Sequence, residues 1–294
     1  MNNNIKQAII IGGGPAGVSA ALYLARAGQK VCIIENGPGA LAKAHKIDNY
    51  YGIAASGAKL YAAGLEQARS LGVEILQDEV LGVEYTDCFT LSLKNTDEQL
   101  QTKALVLATG SKNITLNLPG LIELEGKGIS YCAVCDGFFF RKKRVAVLGN
   151  GAYALHEAAY LKQLAGSVTI LTNGQSGDAA KAAGFEVNTS VLQAVEGSGR
   201  LSSIRFTDGS TLAVDGLFIA LGTADSTDMA RKLGAELNGR FIRIDGDGAT
   251  NIPGLFAAGD CTGGLMQVAK AVHEGARAGL AALKFLRQHK TDEK

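Results

Sequence analysis

The sequence lacks tryptophan and has only 4 prolines among its 294 residues, against 38 glycines. Many glycines with few prolines are typical of tight turns between strands and helices rather than of a disordered chain. No apolar run approaches about 18 residues, so no membrane span is predicted. The net charge is +1 and the isoelectric point is about 7.6. This balance gives no reason to expect a nucleic-acid partner.

Cysteine is also sparse, with five residues in all. An odd number in a chain of this length does not fit a secreted disulfide framework. The polar N-terminal stretch MNNNIKQ predicts no targeting segment. We therefore expect a cytoplasmic protein in a reducing compartment. The length fits two domains or one large α/β domain.

A glycine-rich turn near the N-terminus is the first motif with chemical content. A strand is predicted at Ala8–Ile11 and a helix at Val18–Ala27, and between them lies GGGPAG. A second strand, Val31–Ile34, ends at Glu35. This layout is that of a dinucleotide-binding unit, in which the helix N-terminus receives the pyrophosphate and the acid accepts hydrogen bonds from a ribose. The alternative is a glycine-rich turn in an α/β domain without a ligand.

Three of these glycines have distinct expected roles. Gly12 permits the tight turn, Gly14 lets the backbone approach a pyrophosphate, and Gly17 lets the helix pack closely on the strand. Further along, the apolar strand Ala104–Ala108 ends in Thr109-Gly110, where small residues suit the close approach of a ligand. Other elements are predicted in the intervening and later chain: a helix at Ser56–Leu71, strands at Val73–Val80, Val83–Tyr85 and Phe89–Lys94, strands at Phe218–Leu221, Phe241–Ile244 and Leu255–Ala258, and a helix at Gln267–Leu286.

A second glycine turn repeats the first layout. The strand Val145–Leu148 leads into GNGAYA, in which Ala154 takes the place of the third glycine, and the strand Val168–Leu171 follows the helix. The chain therefore carries an internal duplication. The second unit has neither an acid nor an arginine pair after its second strand, where it reads Thr172-Asn173-Gly174. We interpret it as a Rossmann-type fold that has lost its dinucleotide.

Cys132 and Cys135 stand two residues apart between the two units, and Asp136 follows them. Zinc would need four ligands, and the remaining cysteines and the histidines lack the spacing for it. A pair of structural thiols remains open, but a redox dithiol is favoured. One thiolate attacks a substrate disulfide and the other resolves the mixed disulfide. Asp136 could carry the proton, or it could serve as a helix N-cap.

A dithiol alone cannot take electrons from a nucleotide or an iron–sulfur carrier. A flavin can, since it accepts electrons singly or in pairs. FAD is therefore the expected ligand of the first glycine turn.

Four stretches together resemble one known family over essentially the whole chain. These are IIGGGPAGVSAALYLARAG, LATGS, SYCAVCDGFFF and FAAGDCTGG followed by QVAKAVHEGARAG. They are similar to the low-molecular-weight flavin thioredoxin reductases. The resemblance implies an α/β fold of two Rossmann-like, three-layer ββα domains, the second inserted into the first. It implies an FAD-binding domain at 1–112 and 240–294, with an inserted disulfide domain at 113–239 that carries the CxxC.

The resemblance also assigns residues. Cys135 resembles the cysteine that meets the flavin, Cys132 the one that attacks the partner disulfide, and Asp136 the acid–base residue. Asp260 resembles the aspartate near the ribityl chain. The remaining cofactor positions are expected at the pyrophosphate and ribose, along the flavin or adenine, and at the flavin ring: Gly12, Gly14, Pro15, Ala16, Gly17 and Glu35; Asn49, Val80, Ala108, Thr109 and Gly110; Gln267 and Val268. No metal site is expected.

The departures from the family point to its electron donor. The basic cluster that normally follows the second domain's second strand is replaced by LTNGQS. This resembles the ferredoxin-dependent flavin thioredoxin reductases of anaerobic bacteria, which use ferredoxin instead of NADPH. The partners implied are thioredoxin and ferredoxin, with neither nucleic acid nor membrane, and a homodimer is expected.

Two features beside the dithiol have open interpretations. The run Arg141–Arg144 could steer an acidic ferredoxin, although a solvated turn before a strand is favoured. Phe138–Phe140 are expected to fill the packing between the dithiol and the second domain rather than to form a partner site.

Three alternatives to the ferredoxin-dependent enzyme remain. The first is an NADPH- or NADH-dependent thioredoxin reductase with an atypical nucleotide site. The second is a flavin dithiol oxidase that passes electrons to oxygen. The third is a flavin-binding redox sensor that signals through the dithiol without turnover.

Overall fold

The computed structural model describes residues 5–110, 116–131, 133–222 and 226–291, and of residues 5, 43, 135, 290 and 291 it describes the backbone alone. The chain divides into two compact units. The first unit comprises Met1–Lys112 and Asp225–Lys294, and the second comprises Asn113–Ala224. The predicted insertion extended to residue 239, whereas residues 226–239 fall within the first unit.

The helices and strands of the first unit are β1 (Ile5–Ile11), α1 (Pro15–Arg26), β2 (Val31–Glu35), α2 (Gly57–Ser70), β3 (Glu74–Gln77), β4 (Val80–Tyr85), β5 (Phe89–Leu93) and β6 (Leu100–Leu107). Those of the second unit are β7 (Ile129–Ser130), α3 (Ala133–Asp136), β8 (Arg144–Leu148), α4 (Ala152–Lys162), β9 (Ser167–Leu171), α5 (Asp178–Ala182), β10 (Glu186–Asn188), β11 (Leu192–Glu196), β12 (Ser203–Phe206), β13 (Thr211–Ala213) and β14 (Gly216–Ile219). The chain then returns to the first unit with α6 (Ser226–Lys232), β15 (Leu237–Asn238), β16 (Phe241–Ile242), β17 (Leu255–Ala257) and α7 (Val268–Thr291), and short 3-10 helices cover Gly39–Lys43, Gly137–Phe140 and Asp260–Thr262.

The main sheet of the first unit has the strand order β3-β2-β1-β6, all parallel. Strand β6 shares its other edge between two partners, because β5 pairs antiparallel with its first half and β17 pairs parallel with its second half. The apolar runs of β1 and β6 are buried, as expected for parallel strands covered on both faces. The carboxyl ends of β1, β2, β6 and β17 therefore meet at one edge, where ligands of such sheets bind.

Helix α7 packs along α1 through small residues. A Cβ on Gly275 would lie 2.1 Å from the Ala16 carbonyl oxygen, and one on Gly279 would lie 2.6 Å from that of Ala20. Ser19 Oγ donates to the Val272 carbonyl oxygen at 2.8 Å. This close packing fixes the N-terminus of α7 beside the first glycine turn.

The second unit has its own parallel sheet, in the order β10-β9-β8-β14-β7. A separate antiparallel sheet, β11-β12-β13, lies in the same unit and was not predicted from the sequence. Its apolar residues, including Leu192, Ile204 and Phe206, form one buried cluster with the parallel strands. The fold prediction of two Rossmann-like α/β domains is confirmed.

Predicted element boundaries needed small corrections. Helix α1 begins at Pro15 rather than Val18, because proline is favoured in the first helical turn, where no N–H donor is needed. The predicted strand Val73–Val80 is two elements, since β3 ends at Gln77 and Val80 opens the hairpin β4–β5.

Candidate functional site

The first glycine turn closes so tightly that two of its positions admit no side chain. A Cβ on Gly12 would lie 2.3 Å from the Ala108 carbonyl oxygen, and Gly12 has φ +113°. A Cβ on Gly17 would lie 1.9 Å from the Gly12 carbonyl oxygen. The two glycines therefore bring β1, β6 and α1 into backbone contact.

Gly14 differs from both, because a Cβ there would meet nothing within 4 Å. It is the N-cap of α1, and no side chain there accepts a hydrogen bond from the first turn. The next residues, Pro15 and Ala16, begin a helix of 12 residues. Backbone N–H groups and the positive end of the helix dipole thus face an open approach, which is the arrangement that binds a pyrophosphate.

Glu35, at the end of β2, is a buried carboxylate with two hydrogen bonds. Its Oε2 accepts from the Gly37 amide at 2.7 Å and from the Tyr61 hydroxyl of α2. Burial first, and then the bond to Glu35, raises the pKa of Tyr61 above its ordinary range, so this hydroxyl remains a donor. Tyr61 was missed from the sequence, since only the fold brings α2 to the end of β2. Glu35 Oε1 has capacity for a ribose hydroxyl.

Ala108, Thr109 and Gly110 follow β6 beside the glycine turn. The Ala108 amide donates to the Ile11 carbonyl oxygen at 2.8 Å. Thr109 is joined to Ser226, at the start of α6, by a hydroxyl–hydroxyl bond of 2.8 Å and by its amide, which donates to Ser226 Oγ at 3.0 Å. Ser226 is fully buried and was not predicted; no local pattern marks it. Val80, also predicted here, is buried at the start of β4.

Asn49 and Gln267 lie together although 218 residues separate them in the chain. Asn49 Nδ2 donates to Gln267 Oε1 at 2.9 Å. Gln267 immediately precedes α7, and its carbonyl oxygen accepts from the Ala271 amide at 3.0 Å. Val268 is the first residue of that helix and is half-buried. The fold thus brings Asn49, expected along the flavin or the adenine, next to Gln267, expected at the flavin ring.

Asp260 begins the short 3-10 helix after β17, and it lies beside a network on α7. Lys270 Nζ donates to the Gly259 carbonyl oxygen at 2.7 Å and pairs with Glu274 at 2.8 Å. Glu274 accepts from the Gly259 amide and from Thr262 Oγ1, each at 2.8 Å. Burial is the main cause that raises the pKa of Asp260, Glu274 adds to it, and Lys270 opposes it. This network holds the turn that presents Asp260, and it was not predicted.

These residues fit FAD. The first unit offers an uncapped helix N-terminus at a glycine with no side-chain clash, a buried carboxylate one strand away, and polar side chains before α7. Those features match, in order, a pyrophosphate, a ribose diol and the edge of a polar ring system.

The second glycine turn has the same backbone arrangement as the first, but different side chains surround it. A Cβ on Gly149 would lie 2.2 Å from the Ala220 carbonyl oxygen, so Ala220 stands where Ala108 stands in the first unit. Asn150 Nδ2 donates to Gln175 Oε1 at 3.2 Å and so bridges the turn to the segment after β9. Asn173 has φ +52°, and its Oδ1 accepts from the Leu192 amide at 2.9 Å.

The dithiol lies largely outside the described residues. Cys132 is not described, and for Cys135 only the backbone is, as part of α3. The predicted acid–base residue is better defined, because Asp136 Oδ2 accepts from Ser130 Oγ at 2.7 Å. The Ala133 amide, directly after Cys132, donates to Glu157 Oε2 of α4 at 2.9 Å. Neither Ser130 nor Glu157 was predicted.

The three phenylalanines after the dithiol do not act alike, and the prediction that all three fill packing was wrong. Phe140 is buried against Phe218, with ring centroids 5.3 Å apart. Phe138 and Phe139 are 64% and 66% exposed. The 3-10 turn directs successive side chains in different directions, so a run of three cannot share one face.

The basic run after these phenylalanines is partly engaged. Arg144 forms a two-pronged pair with Asp215, both bonds at 3.1 Å, and the Arg144 side chain is 55% exposed. The Arg141 guanidinium lies 5.6 Å from the centre of the Phe138 ring. Lys142 has φ +58°, which places it in a tight turn before β8.

The described part of the chain contains neither a candidate metal site nor a candidate membrane span. Among these residues no group of three or more histidine, cysteine, aspartate or glutamate side chains is arranged to hold a metal ion. No described helix is long and apolar enough to cross a membrane.

The sequence matches the pyridine nucleotide-disulphide oxidoreductase family over residues 6–275. A thioredoxin reductase of Peptoclostridium litorale is 34% identical over 312 aligned positions, which cover 97% of this chain and 98% of that protein. A thioredoxin reductase of Ureaplasma parvum is 33% identical, with 97% and 98% covered.

Solved structures agree. The atypical thioredoxin reductase TRi of Desulfovibrio vulgaris Hildenborough superposes with a TM-score of 0.91 at 40% identity, covering 96% of this chain and 98% of that one. A ferredoxin-flavin thioredoxin reductase of Clostridium acetobutylicum gives 0.71 at 27% identity, with 98% and 99% covered. The chain therefore belongs to the pyridine nucleotide-disulphide oxidoreductases and, among them, to the thioredoxin reductases, which are FAD-dependent flavoproteins.

Proposed function

We propose that this disulfide oxidoreductase reduces a thioredoxin disulfide and that ferredoxin, rather than a nicotinamide nucleotide, is its electron donor. FAD, when bound in the first unit, accepts electrons singly and delivers them in pairs, which suits an iron–sulfur donor and a disulfide acceptor. Cofactor-holding roles fall to Gly14, Glu35, Asn49, Asp260 and Gln267, with the other predicted positions around them.

The observation that carries the choice of donor is the second glycine turn. A nicotinamide dinucleotide needs an acid for its ribose diol or arginines for a 2′-phosphate after the second strand. Here Thr172, Asn173 and Gln175 occupy that segment, and the Asn150–Gln175 bond of 3.2 Å spans the space in front of the turn. The likeness to a ferredoxin-flavin enzyme of Clostridium acetobutylicum supports the same choice.

The chemistry of the dithiol follows from its residues. The Cys132 thiolate attacks one sulfur of the thioredoxin disulfide, which breaks that bond and forms a mixed disulfide. The Cys135 thiolate then attacks Cys132 and releases thioredoxin as a dithiol. Asp136 donates a proton to the departing thiolate, and Ser130 orients Asp136 by its hydrogen bond of 2.7 Å. The Cys132–Cys135 disulfide returns to a dithiol when it takes up two electrons and two protons.

Phe138 and Phe139 form the proposed thioredoxin-docking surface. They are exposed, their ring centroids are 6.3 Å apart, and they directly follow the dithiol. Exposed aromatic pairs of this kind are common anchors of protein interfaces. We also propose a homodimer and a cytoplasmic location, the latter because Cys32, Cys88 and Cys261 are free thiols.

Anaerobic stopped-flow measurement of flavin absorbance tests the donor. Reduced ferredoxin is expected to bleach the flavin and to support thioredoxin reduction, whereas NADPH and NADH at matched concentrations bleach it slowly or not at all. Rapid bleaching by NADPH would contradict the proposal and favour the NADPH-dependent alternative. Bleaching by ferredoxin without thioredoxin turnover would favour a sensor, and oxygen-dependent consumption of a small dithiol would favour an oxidase.

Substitution of one cysteine tests the dithiol itself. Cys135→Ser is expected to retain FAD and to lose thioredoxin reduction, because the mixed disulfide at Cys132 is no longer resolved. Cys88→Ser is the matched control, since Cys88 is a half-buried free thiol in the first unit. Full activity of Cys135→Ser would overturn the assignment.

A further inference from the structure

Glu157 is a buried carboxylate beside the dithiol. It lies on α4, its side chain is 2% exposed, and its Oε2 accepts a hydrogen bond of 2.9 Å from the Ala133 amide. Ala133 directly follows Cys132, and Cys135 comes two residues later in the same short helix α3. The bond thus joins α4 to the backbone that links the two cysteines.

Burial of the Glu157 carboxylate is energetically unfavourable unless its oxygens have partners. A buried carboxylate costs several kcal/mol unless it is hydrogen-bonded or paired, so such groups persist where their bonds have a role. Its other oxygen, Oε1, lies 3.6 Å from Nδ1 of His156, whose side chain is about one-third exposed. Glutamate is long enough to reach the α3 backbone from α4, and an amide donating to a carboxylate makes a stronger bond than one donating to a neutral carbonyl.

We propose that Glu157 is a positioning residue of the dithiol. By accepting from Ala133 N–H, it fixes the backbone directly after Cys132 and so favours closure of the Cys132–Cys135 disulfide. This proposal deepens the proposed function, because it rests on Cys132 and Cys135 being the redox pair.

A held turn affects the redox equilibrium of the pair. Formation of the Cys132–Cys135 disulfide releases two electrons and two protons, and it requires the Cα atoms to approach within about 7 Å with suitable orientation. Two thiols held near that geometry have a high effective concentration, which favours the disulfide and makes the dithiol the stronger reductant. A loosened turn therefore favours the dithiol and weakens its reducing power.

Two substitutions have opposite expectations. Glu157→Gln keeps the chain length and an oxygen acceptor but removes the charge, so the dithiol–disulfide equilibrium is expected to stay within about threefold of the parent, since a positioning bond survives. Glu157→Asp keeps the charge but is one methylene shorter. It is expected to shift the equilibrium about tenfold toward the dithiol, because the shorter side chain no longer reaches the Ala133 amide. For a two-electron couple, tenfold corresponds to about 30 mV.

The equilibrium is measured in the purified FAD-loaded protein with dithiothreitol redox buffers, by alkylation of the free thiols and mass spectrometry of the peptide that contains Cys132 and Cys135. Glu186→Gln and Glu186→Asp are the matched controls. Glu186 is a glutamate of the same unit that accepts from Thr169 Oγ1 at 3.2 Å, on the β9–β10 edge opposite β7. Both controls are expected to leave the equilibrium unchanged.

Each outcome decides the proposal. A parental Gln variant with a shifted Asp variant supports it. A shift in the Gln variant with a parental Asp variant would show that Glu157 acts by its charge, which overturns the positioning role. The role is also overturned if neither variant shifts the equilibrium or if both do. If the Asp variant does not accumulate, Glu157→Ala, which also lacks an acceptor that reaches the Ala133 amide, takes its place with the same expected shift. Because dithiothreitol replaces thioredoxin and ferredoxin, the measurement remains informative even if the proposed donor or substrate is wrong.

Discussion

The two glycine turns have the same backbone plan and different surroundings. In both, the first glycine packs against a carbonyl oxygen that follows a parallel strand. A Cβ added to Gly12 would lie 2.3 Å from the Ala108 carbonyl oxygen, and one added to Gly149 would lie 2.2 Å from that of Ala220. In the first unit the second strand ends in buried Glu35, which holds Gly37 and Tyr61. In the second unit the corresponding segment is tied to its own turn by Asn150 and Gln175.

The two turns differ in the features that bind a ligand and agree in the features that the fold requires. Close backbone packing is required in both units, whether or not a nucleotide binds, so Gly12 and Gly149 carry little information about function. The acid after the second strand and the open approach at the helix N-terminus are needed to bind a nucleotide, but the fold does not need them. In the second unit, polar side chains that bond to one another stand in place of the acid, as expected if this site has lost its dinucleotide as proposed.

The largest expected effect comes from an acid placed in each turn. Gly14 and Gly151 are both N-caps in extended backbone, with φ −75° and −96°, so aspartate fits either without strain. Gly14→Asp places a negative charge where the pyrophosphate approaches, and like charges in contact cost several kcal/mol. FAD affinity is expected to fall by about a hundredfold or more. Gly151→Asp is expected to keep both FAD and thioredoxin reduction.

The visible absorbance of the flavin per protein, before and after dialysis, measures this difference. If Gly151→Asp abolished activity with the flavin still bound, the second turn would be a working anion site, contrary to the difference expected between the two turns.

A smaller effect is expected on stability from the third position of each turn. Gly17→Ala places a Cβ 1.9 Å from the Gly12 carbonyl oxygen, so α1 must shift, and overpacking of this kind costs about 1–3 kcal/mol. The second turn already has Ala154, and Ala154→Gly is expected to cost about 1 kcal/mol through lost helix propensity. Thermal unfolding of the two variants provides the measurement, and a Gly17→Ala midpoint at or above that of the parent would show that the first turn tolerates a Cβ as the second does.

The acid after the second strand gives a third test. Glu35→Ala removes the acceptor of Gly37 and Tyr61 and the group proposed for the ribose. FAD affinity is expected to fall by about tenfold to a hundredfold, from about 1.5–3 kcal/mol for bonds to a charged acceptor. Thr172 follows the corresponding strand of the second unit, and its Oγ1 donates to the Gln175 carbonyl oxygen at 2.6 Å. Thr172→Ala is the matched control, expected to leave FAD binding unchanged; an equal loss in both would mean that the effect is structural.

Residues within local motifs could be predicted from the sequence, and residues that act through tertiary contacts could not. The glycine turn and Glu35 were predictable because they lie within a motif whose spacing is fixed by strand–turn–helix geometry. Asn49 and Gln267 were expected only because of the resemblance to a known family. Tyr61, Ser226 and Glu157 were missed because each acts through a partner that only the tertiary fold brings near, and an isolated tyrosine, serine or glutamate has no periodic signal. Phe138 and Phe139 were misread for a related reason, since apolarity alone does not reveal which direction a 3-10 turn gives each side chain.

The smallest expected effect is on the pH dependence of stability, and it concerns one carboxylate in each unit. Hydrogen bonds from Arg144, chiefly from its side chain, lower the pKa of Asp215 below its ordinary value of 3.8, whereas burial raises that of Asp260. A lowered pKa means that the Asp215 carboxylate stabilises the folded state above pH 3.8 and that this contribution disappears as the pH falls through the folded-state pKa. The raised pKa of Asp260 has the opposite sign, so its contribution is lost as the pH rises above 3.8.

Asp215→Asn is therefore expected to lower the unfolding midpoint slightly at neutral pH, and the difference from the parent should vanish in acid. Asp260→Asn should instead raise the midpoint of the FAD-free protein at neutral pH, because it removes the cost of burying a charge. The Arg144–Asp215 pair is partly exposed, so the solvent screens it and its effect is the smallest considered. Thermal unfolding across the acid range measures both variants. Shifts of the same sign at neutral pH would show that the environments of the two carboxylates do not differ as the two units suggest.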